Sequence, residues 1–179
     1  DALGEGHLEV AEVLQNKGFL ASANKNHQEA ARFLRRALDI KRDTLGEGHE
    51  DVGRLRLNLG TQLGRALQYK SAFPQLEQAE QILLAAKGAD DPLMGSVYLN
   101  IGIVYLRQGD IGRALDYSEK ALENFKRTKG ETHPYVGDAL NNIGSCYQHF
   151  RQYERALEYF KQSLAIDLQQ PEPEYYSLG

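Results

Sequence analysis

A motif that returns at a constant interval constrains a fold strongly, because every copy must solve the same packing problem as its neighbours. Here Gly4-Glu5-Gly6-His7 returns as Gly46-Glu47-Gly48-His49. The same slot then reads Gly88-Ala89-Asp90-Asp91 and Gly130-Glu131-Thr132-His133, each step being 42 residues with no insertion. Four units follow, at 4–45, 46–87, 88–129 and 130–171, within one domain spanning 1–179. Three further columns recur in phase: Asn16, Asn58, Asn100 and Asn142; Gly18, Gly60, Gly102 and Gly144; Ala30, Ala72, Ala114 and Ala156.

Inside each unit the apolar spacing is helical. In the fourth, Val136, Ala139, Leu140, Ile143 and Tyr147 make one stripe, and Tyr153, Ala156, Leu157, Phe160 and Leu164 a second. A turn is predicted between them at His149-Phe150-Arg151-Gln152, and at Arg107-Gln108-Gly109-Asp110 in the third unit. Pro92 and Pro134 suit a first helical turn, where a missing N–H costs nothing, and Gly88 and Gly130 suit a helix exit. Each unit is therefore a helix pair. The Gly column lies mid-helix, where glycine costs about 0.5–1 kcal/mol against alanine. Such a cost is tolerated where a second backbone comes close, and the Ala column marks the expected approach point on the second helix. His7, His49, Asp91 and His133 read as caps at helix starts rather than as metal ligands.

Composition excludes several classes. Hydrophobic residues are 41% and charged residues 26%, so the chain is neither a disordered tail nor a fibre. A net charge of −4 argues against nucleic acid as a partner. No apolar run is long enough for membrane insertion, and the expected location is cytoplasmic. One cysteine, Cys146, excludes an internal disulfide framework and a thiolate metal cluster. Cys146 and His149 lie three apart on one helix, but no third group orients the imidazole, so Cys146 reads as an inert buried thiol. Gly4-x-Gly6 lacks the rest of a dinucleotide fingerprint, and no Walker motif occurs. The expectation is no enzyme activity, no metal and no cofactor.

Leu140-Asn141-Asn142-Ile143-Gly144-x-x-Tyr147 followed by Tyr153-x-x-Ala156-x-x-x-Phe160 resembles the tetratricopeptide repeat. The unit is longer than that family's usual length of about 34 residues. With the Gly-x-x-His-Pro-x-Val start at 130–136, it is similar to the kinesin-light-chain type over residues 1–171. The resemblance implies an all-α, right-handed superhelical solenoid of antiparallel helix pairs whose first helices line a concave groove. It also implies a role as an adaptor or scaffold in protein binding. Residues 1–3 look like the tail of a preceding unit, and 172–179 are either a loose tail or the start of a fifth, so the chain reads as a segment of a longer array.

Carried over from the Gly column, the family's groove positions fall on Gln15, Leu57, Leu99 and Asn141, on Phe19, Ile103 and Ser145, and at the helix end on Leu106, Arg65, Arg107 and His149. Arg54 belongs to a further such column with Glu12, Ser96 and Asp138. Phe19, Leu57, Leu99, Ile103 and Leu106 would form an apolar floor, with Arg54, Arg65 and Arg107 as a basic rim. That combination suits a protein or peptide segment carrying apolar anchors and acidic residues. In kinesin light chains the groove Asn of the Asn-Asn pair holds cargo backbone, and only Asn141 matches it here. The inner Asn column is expected to bond loop backbone between units. Two other readings are the sensor or autoinhibitory arm of a larger signalling ATPase or enzyme, and a spacer that self-associates through exposed repeat ends.

The second unit departs from the pattern. Pro74 falls where the second helix should run, and a proline well inside a helix costs about 3 kcal/mol. The expectation is a late start capped by Ser71, after a displaced turn or an extended first helix, and irregular stacking at this unit.

Overall fold

The same interval reappears in three dimensions. The computed structural model describes residues 8–169, and within them α-helices alternate with tight turns and no strand occurs. The pairs are α1 (Leu8–Ala23) with α2 (His27–Leu45), α3 (Glu50–Arg65) with α4 (Tyr69–Lys87), α5 (Pro92–Gln108) with α6 (Ile111–Lys129), and α7 (Pro134–His149) with α8 (Tyr153–Asp167). The second helices begin at His27, Tyr69, Ile111 and Tyr153, each 42 residues after the last. His7, Gly4-Glu5-Gly6, residues 1–3 and the segment 172–179 lie outside the described residues.

Local chemistry sets these boundaries. His49 Nδ1 accepts the Asp51 N–H at 3.1 Å, His133 Nδ1 accepts the Tyr135 N–H at 3.2 Å, and Asp91 Oδ1 accepts the Leu93 N–H at 2.7 Å. Three of the four column residues are thus helix caps. Pro92 and Pro134 open α5 and α7, and Gly88 and Gly130 close α4 and α6 with φ of 80° and 94°. The turns inside pairs each use one left-handed residue at a single column. Gly109 fills it in the third pair, whereas Lys25, Leu67 and Arg151 adopt φ near 60° in the others.

The Gly and Ala columns meet inside the first three hairpins. A Cβ on Gly60 would sit 2.7 Å from Leu76 Cγ and 3.2 Å from the Ala72 carbonyl oxygen. Gly18 and Gly102 face the carbonyls of Ala30 and Ala114 at 3.4 and 3.3 Å, and Gly144 faces the Phe160 ring at 2.7 Å. The small residues let Leu34, Leu76, Ser118 and Phe160 from the second helices seat themselves against the first, and Leu34 and Leu76 are fully buried there. Each of these two leucines contributes roughly 1.5–3 kcal/mol of burial, which outweighs the glycine penalty.

Neighbouring pairs are joined in two ways. α2 packs on α3 and α6 on α7 along their lengths, while α4 packs only sparsely on α5. First helices also touch one another: α3 meets α5, and α5 meets α7. No comparable contact joins α2 to α4, α4 to α6 or α6 to α8. Elements on the inside of a curved stack are crowded and those outside are splayed, so α1, α3, α5 and α7 form the inner layer.

The late start expected for the second unit is not found. α4 begins at Tyr69, in phase with the other second helices, and Gln68 rather than Ser71 holds the cap position. α3 ends at Arg65, so the turn is not displaced and the first helix is not extended. Pro74 is accommodated inside α4 because it lies in the second turn, where a lost N–H removes a single bond near a naturally unpaired end. The Asn column differs too. Asn100 Nδ2 donates to the Ser96 carbonyl of its own helix at 2.8 Å, and Asn142 Nδ2 is buried without a partner. The loop before α5 is instead tied by Asn124, whose Nδ2 reaches the carbonyls of Ala89 and Asp91 at 2.9 and 3.2 Å.

Candidate functional site

Contacts between first helices run from α3 through α5 to α7, and the floor of this inner layer differs along the array. At α3 it is closed. A Cβ on Gly64 would lie 2.6 Å from Val104 Cγ2, and Thr61 Oγ1 lies 3.4 Å from Asn100 Oδ1, so α5 rests directly on α3. Leu57 is consequently 7% exposed and belongs to the hydrophobic core instead of the floor. On α5 the floor reopens: Leu99, Ile103 and Leu106 are half-buried, with Leu99 leaning on the cluster around Phe125 and Val136. On α1, Phe19 is 43% exposed. On α7, Asn141 and His149 are exposed and Ser145 is half-buried, its Oγ donating to the Asn141 carbonyl at 3.0 Å.

The polar groups divide by whether they already have partners. Gln15 Oε1 accepts from Lys41 Nζ at 3.4 Å, which turns the amide toward α2. Arg54 donates through Nε to Glu50 Oε1 at 2.9 Å. The hydrogen bonds from Lys87 and Arg54 hold the Glu50 carboxyl below its ordinary range, so Arg54 is engaged in a small ion network. Arg65 and Arg107 differ. Among the described residues neither guanidinium has a carboxylate partner, and both face one cleft of about 350 Å³ at the turn edge of the inner layer.

That cleft is lined by Ser22, Ala23, Lys25, His27, Arg65 and Arg107. Its walls are fixed by backbone and side-chain bonds. The Lys25 N–H reaches the Ser22 carbonyl at 2.9 Å, the Tyr69 hydroxyl donates to the Arg107 carbonyl at 2.9 Å, and His27 Nδ1 meets Gln62 Oε1 at 3.0 Å. Lys25 and His27 escape a column-wise reading because their columns are not uniform: Leu67, Gly109 and Arg151 stand opposite the first, and Tyr69, Ile111 and Tyr153 opposite the second, so only Arg151 repeats a charge. The available signal was the closeness of two polar residues in the first unit, at the turn that shares a cleft with the ends of α3 and α5.

The remaining chemistry is structural. Cys146 is fully buried, and burial, aided by the negative charge of Glu119, pushes its thiol up to about 11. A thiol held that high is a poor nucleophile, and His149 beside it is exposed. Tyr117 is likewise held above the ordinary tyrosine range, mainly by burial and then by Glu80, which accepts its hydroxyl at 3.0 Å. No cluster of three or more His, Cys, Asp or Glu suited to a metal, and no helix long and apolar enough to cross a membrane, occurs among the described residues.

Comparison with known proteins matches the geometry. A family model described as tetratricopeptide repeat matches residues 9–85 and 88–169. No curated protein matches the sequence. Among solved structures, BtubC (BKLC) from P. vanneervenii superposes with a TM-score of 0.78 at 21% identity, over 91% of this chain and 66% of that one. A kinesin-light-chain-type protein with nearly identical TPR-like repeats from Podosopora anserina gives 0.74 at 21% identity, over 94% of this chain and 81% of that one. The apo form of RapI gives 0.72 at 22% identity, over 92% of this chain but 44% of that one.

Proposed function

The chain belongs to the tetratricopeptide repeat family, whose repeats generally mediate protein–protein interaction, and from that premise we propose that it is a non-catalytic scaffold binding a protein or peptide segment along its inner layer. The observation that carries this reading is the contact of α3 with α5 and of α5 with α7, which joins the faces of separate pairs into one surface. Leu99, Ile103 and Leu106 supply half-exposed apolar anchor sites on it, and Asn141 and His149 supply exposed polar groups beyond them. A segment laid across these helices buries its anchors on α5 and meets hydrogen-bonding groups on α7.

Replacing Ile103 with Glu puts a charge in the middle of this surface while leaving the fully buried core untouched. Partner capture from lysate should drop at least about tenfold for Ile103→Glu relative to wild type, with helical circular dichroism unchanged. Undiminished capture by a folded Ile103→Glu protein would refute the reading.

Self-association is supported by a separate observation. Val13 and Leu20 on α1 are 55% and 65% exposed, and Leu157 and Leu164 on α8 are 53% and 55% exposed. Their column counterparts Leu55 and Val104, and Ala31 and Leu38, are buried between pairs. Light scattering over a concentration series tests whether such end faces stack; a constant monomer mass rejects it.

A further inference from the structure

We propose that a second copy of this chain docks end to end, with Leu157 on α8 of one copy entering the cavity beside Leu20 and Phe33 of the other. The proposal rests on the self-association reading above and adds the two faces, their register and the symmetry of the assembly. On the first pair, Lys17, Leu20, Ala21, Asn24, Glu29 and Phe33 line a cavity of about 160 Å³, and Leu20 is 65% exposed. On the last pair, Tyr153, Leu157 and Leu164 are each more than half exposed. Their spacing along α8 puts them on one stripe.

The seams inside the molecule identify the occupant. Leu20, Ala21 and Phe33 stand at the columns of Val104, Tyr105 and Tyr117 in the third pair, and Leu157 stands at the column of Phe73. In the third pair the position is filled: Phe73, from the preceding second helix, stacks on Tyr105 at 4.5 Å, and Tyr105 on Tyr117 at 5.6 Å. In the first pair Ala21 replaces the Tyr105 ring, and among the described residues no second helix precedes α1 to supply the knob. A second contact follows from the same columns. Tyr69 donates its hydroxyl to the Arg107 carbonyl at 2.9 Å, and Tyr153 and Ala23 are the equivalent residues on α8 and α1.

The α8 stripe and the α1 cavity are thus two halves of one seam, carried at opposite ends of the stack, so no single copy closes it. A contact between two different faces leaves one free face at each end of a dimer, and assembly continues as an open chain of copies. Burial of apolar groups drives it, with the Tyr153 hydroxyl fixing the register. One pairing opposes it. Lys41 lies 3.7 Å from Asp51 at the first seam, and the same columns set Asp167 against Glu9 between copies. Salt screens that repulsion and leaves apolar burial in place, so association strengthens as salt rises.

Light scattering of the whole chain over a concentration series, at low and high salt, reads the assembly. Wild type should grow in mass past the dimer, and more readily at high salt. Leu157→Asp and Leu20→Asp each charge one face at a side chain that is mostly solvent-facing, so circular dichroism should be unchanged. Each should raise the concentration needed for association by about tenfold or more. Mixed in equal amounts, the two variants keep one complementary pair of faces and should form a heterodimer and nothing larger. Association of Leu20→Asp alone would mean that α8 pairs with α8, and association of Leu157→Asp alone that α1 pairs with α1. Either result sinks the head-to-tail register and leaves self-association standing, as does a mixture that stays monomeric while wild type assembles. Assembly that weakens with salt also sinks the register. A wild-type mass that stays monomeric throughout overturns self-association itself. Ile103→Glu, on the inner layer, should associate like wild type, which keeps this test separate from that of the groove.

Discussion

The seam between α4 and α5 and the seam between α6 and α7 are built from the same columns of the same repeat, yet they close differently. At α6–α7 the second helix of one pair lies along the first helix of the next, and Phe125 is fully buried beside Val136 and Ala139. At α4–α5 the contact is sparser and a ring pair crosses it. Phe73 stacks on Tyr105 at 4.5 Å across this seam, where the same columns hold Ala31 and Leu63 at the first seam and Leu115 and Tyr147 at the last. The inner edge is drawn together, since Gly64 admits Val104 where the third unit has Leu106 and the fourth Gln148. Repeat period sets how pairs are spaced along the chain; the side chains at a few columns set how closely neighbouring pairs meet.

Removing the key residue of the close-packed seam should have the largest effect. Phe125→Ala is expected to cost about 3–5 kcal/mol in urea denaturation, because its cavity is lined by fixed helices. Phe73→Ala, at the ring-filled seam, should cost less, since Phe73 is only half-buried. Comparable losses would mean the two seams are equally tight. Next comes Gly64→Val, which adds methyl groups against Val104 and should cost about 1–3 kcal/mol. The same variant should also open the floor at Leu57, seen as faster amide exchange on α3.

Pro74→Ala should stabilise. It restores one backbone bond within α4 and is worth about 1–2 kcal/mol, short of the full mid-helix figure because Pro74 lies near the helix start. A loss of stability instead would show that the proline is needed to place Phe73. The smallest effects belong to the left-handed turn column. Leu67→Gly should gain about 0.5–1 kcal/mol and Gly109→Ala lose about 1 kcal/mol, opposite signs at equivalent positions. Thermal unfolding resolves both.

The hairpins were legible because they depend on neighbours along the chain. Pro at a first turn, His or Asp one residue before it, and Gly at an exit act within about four residues, so their reading transfers to three dimensions unchanged. The Gly and Ala columns were legible for a related reason: both helices of a pair carry their half of the contact within one repeat. Pro74 was misjudged because a fixed penalty was applied without regard to its distance from the helix end. The site was only partly legible. Leu57, Gln15 and Arg54 stand at inward columns, yet the first is covered by α5, the second turned to Lys41 and the third tied to Glu50.

By itself, then, the order of residues determined that this chain builds helix pairs, where each begins, and which small residues let them close. Tertiary structure alone decided which inward positions stay open and which cations stay unpaired. The physical reason is range. Capping, turn formation and hairpin closure draw on groups inside one repeat, whereas exposure and charge pairing depend on separations set by atoms from other repeats. Gly64 against Val104 and Lys25 beside Arg65 and Arg107 exist as neighbours only once the pairs have stacked.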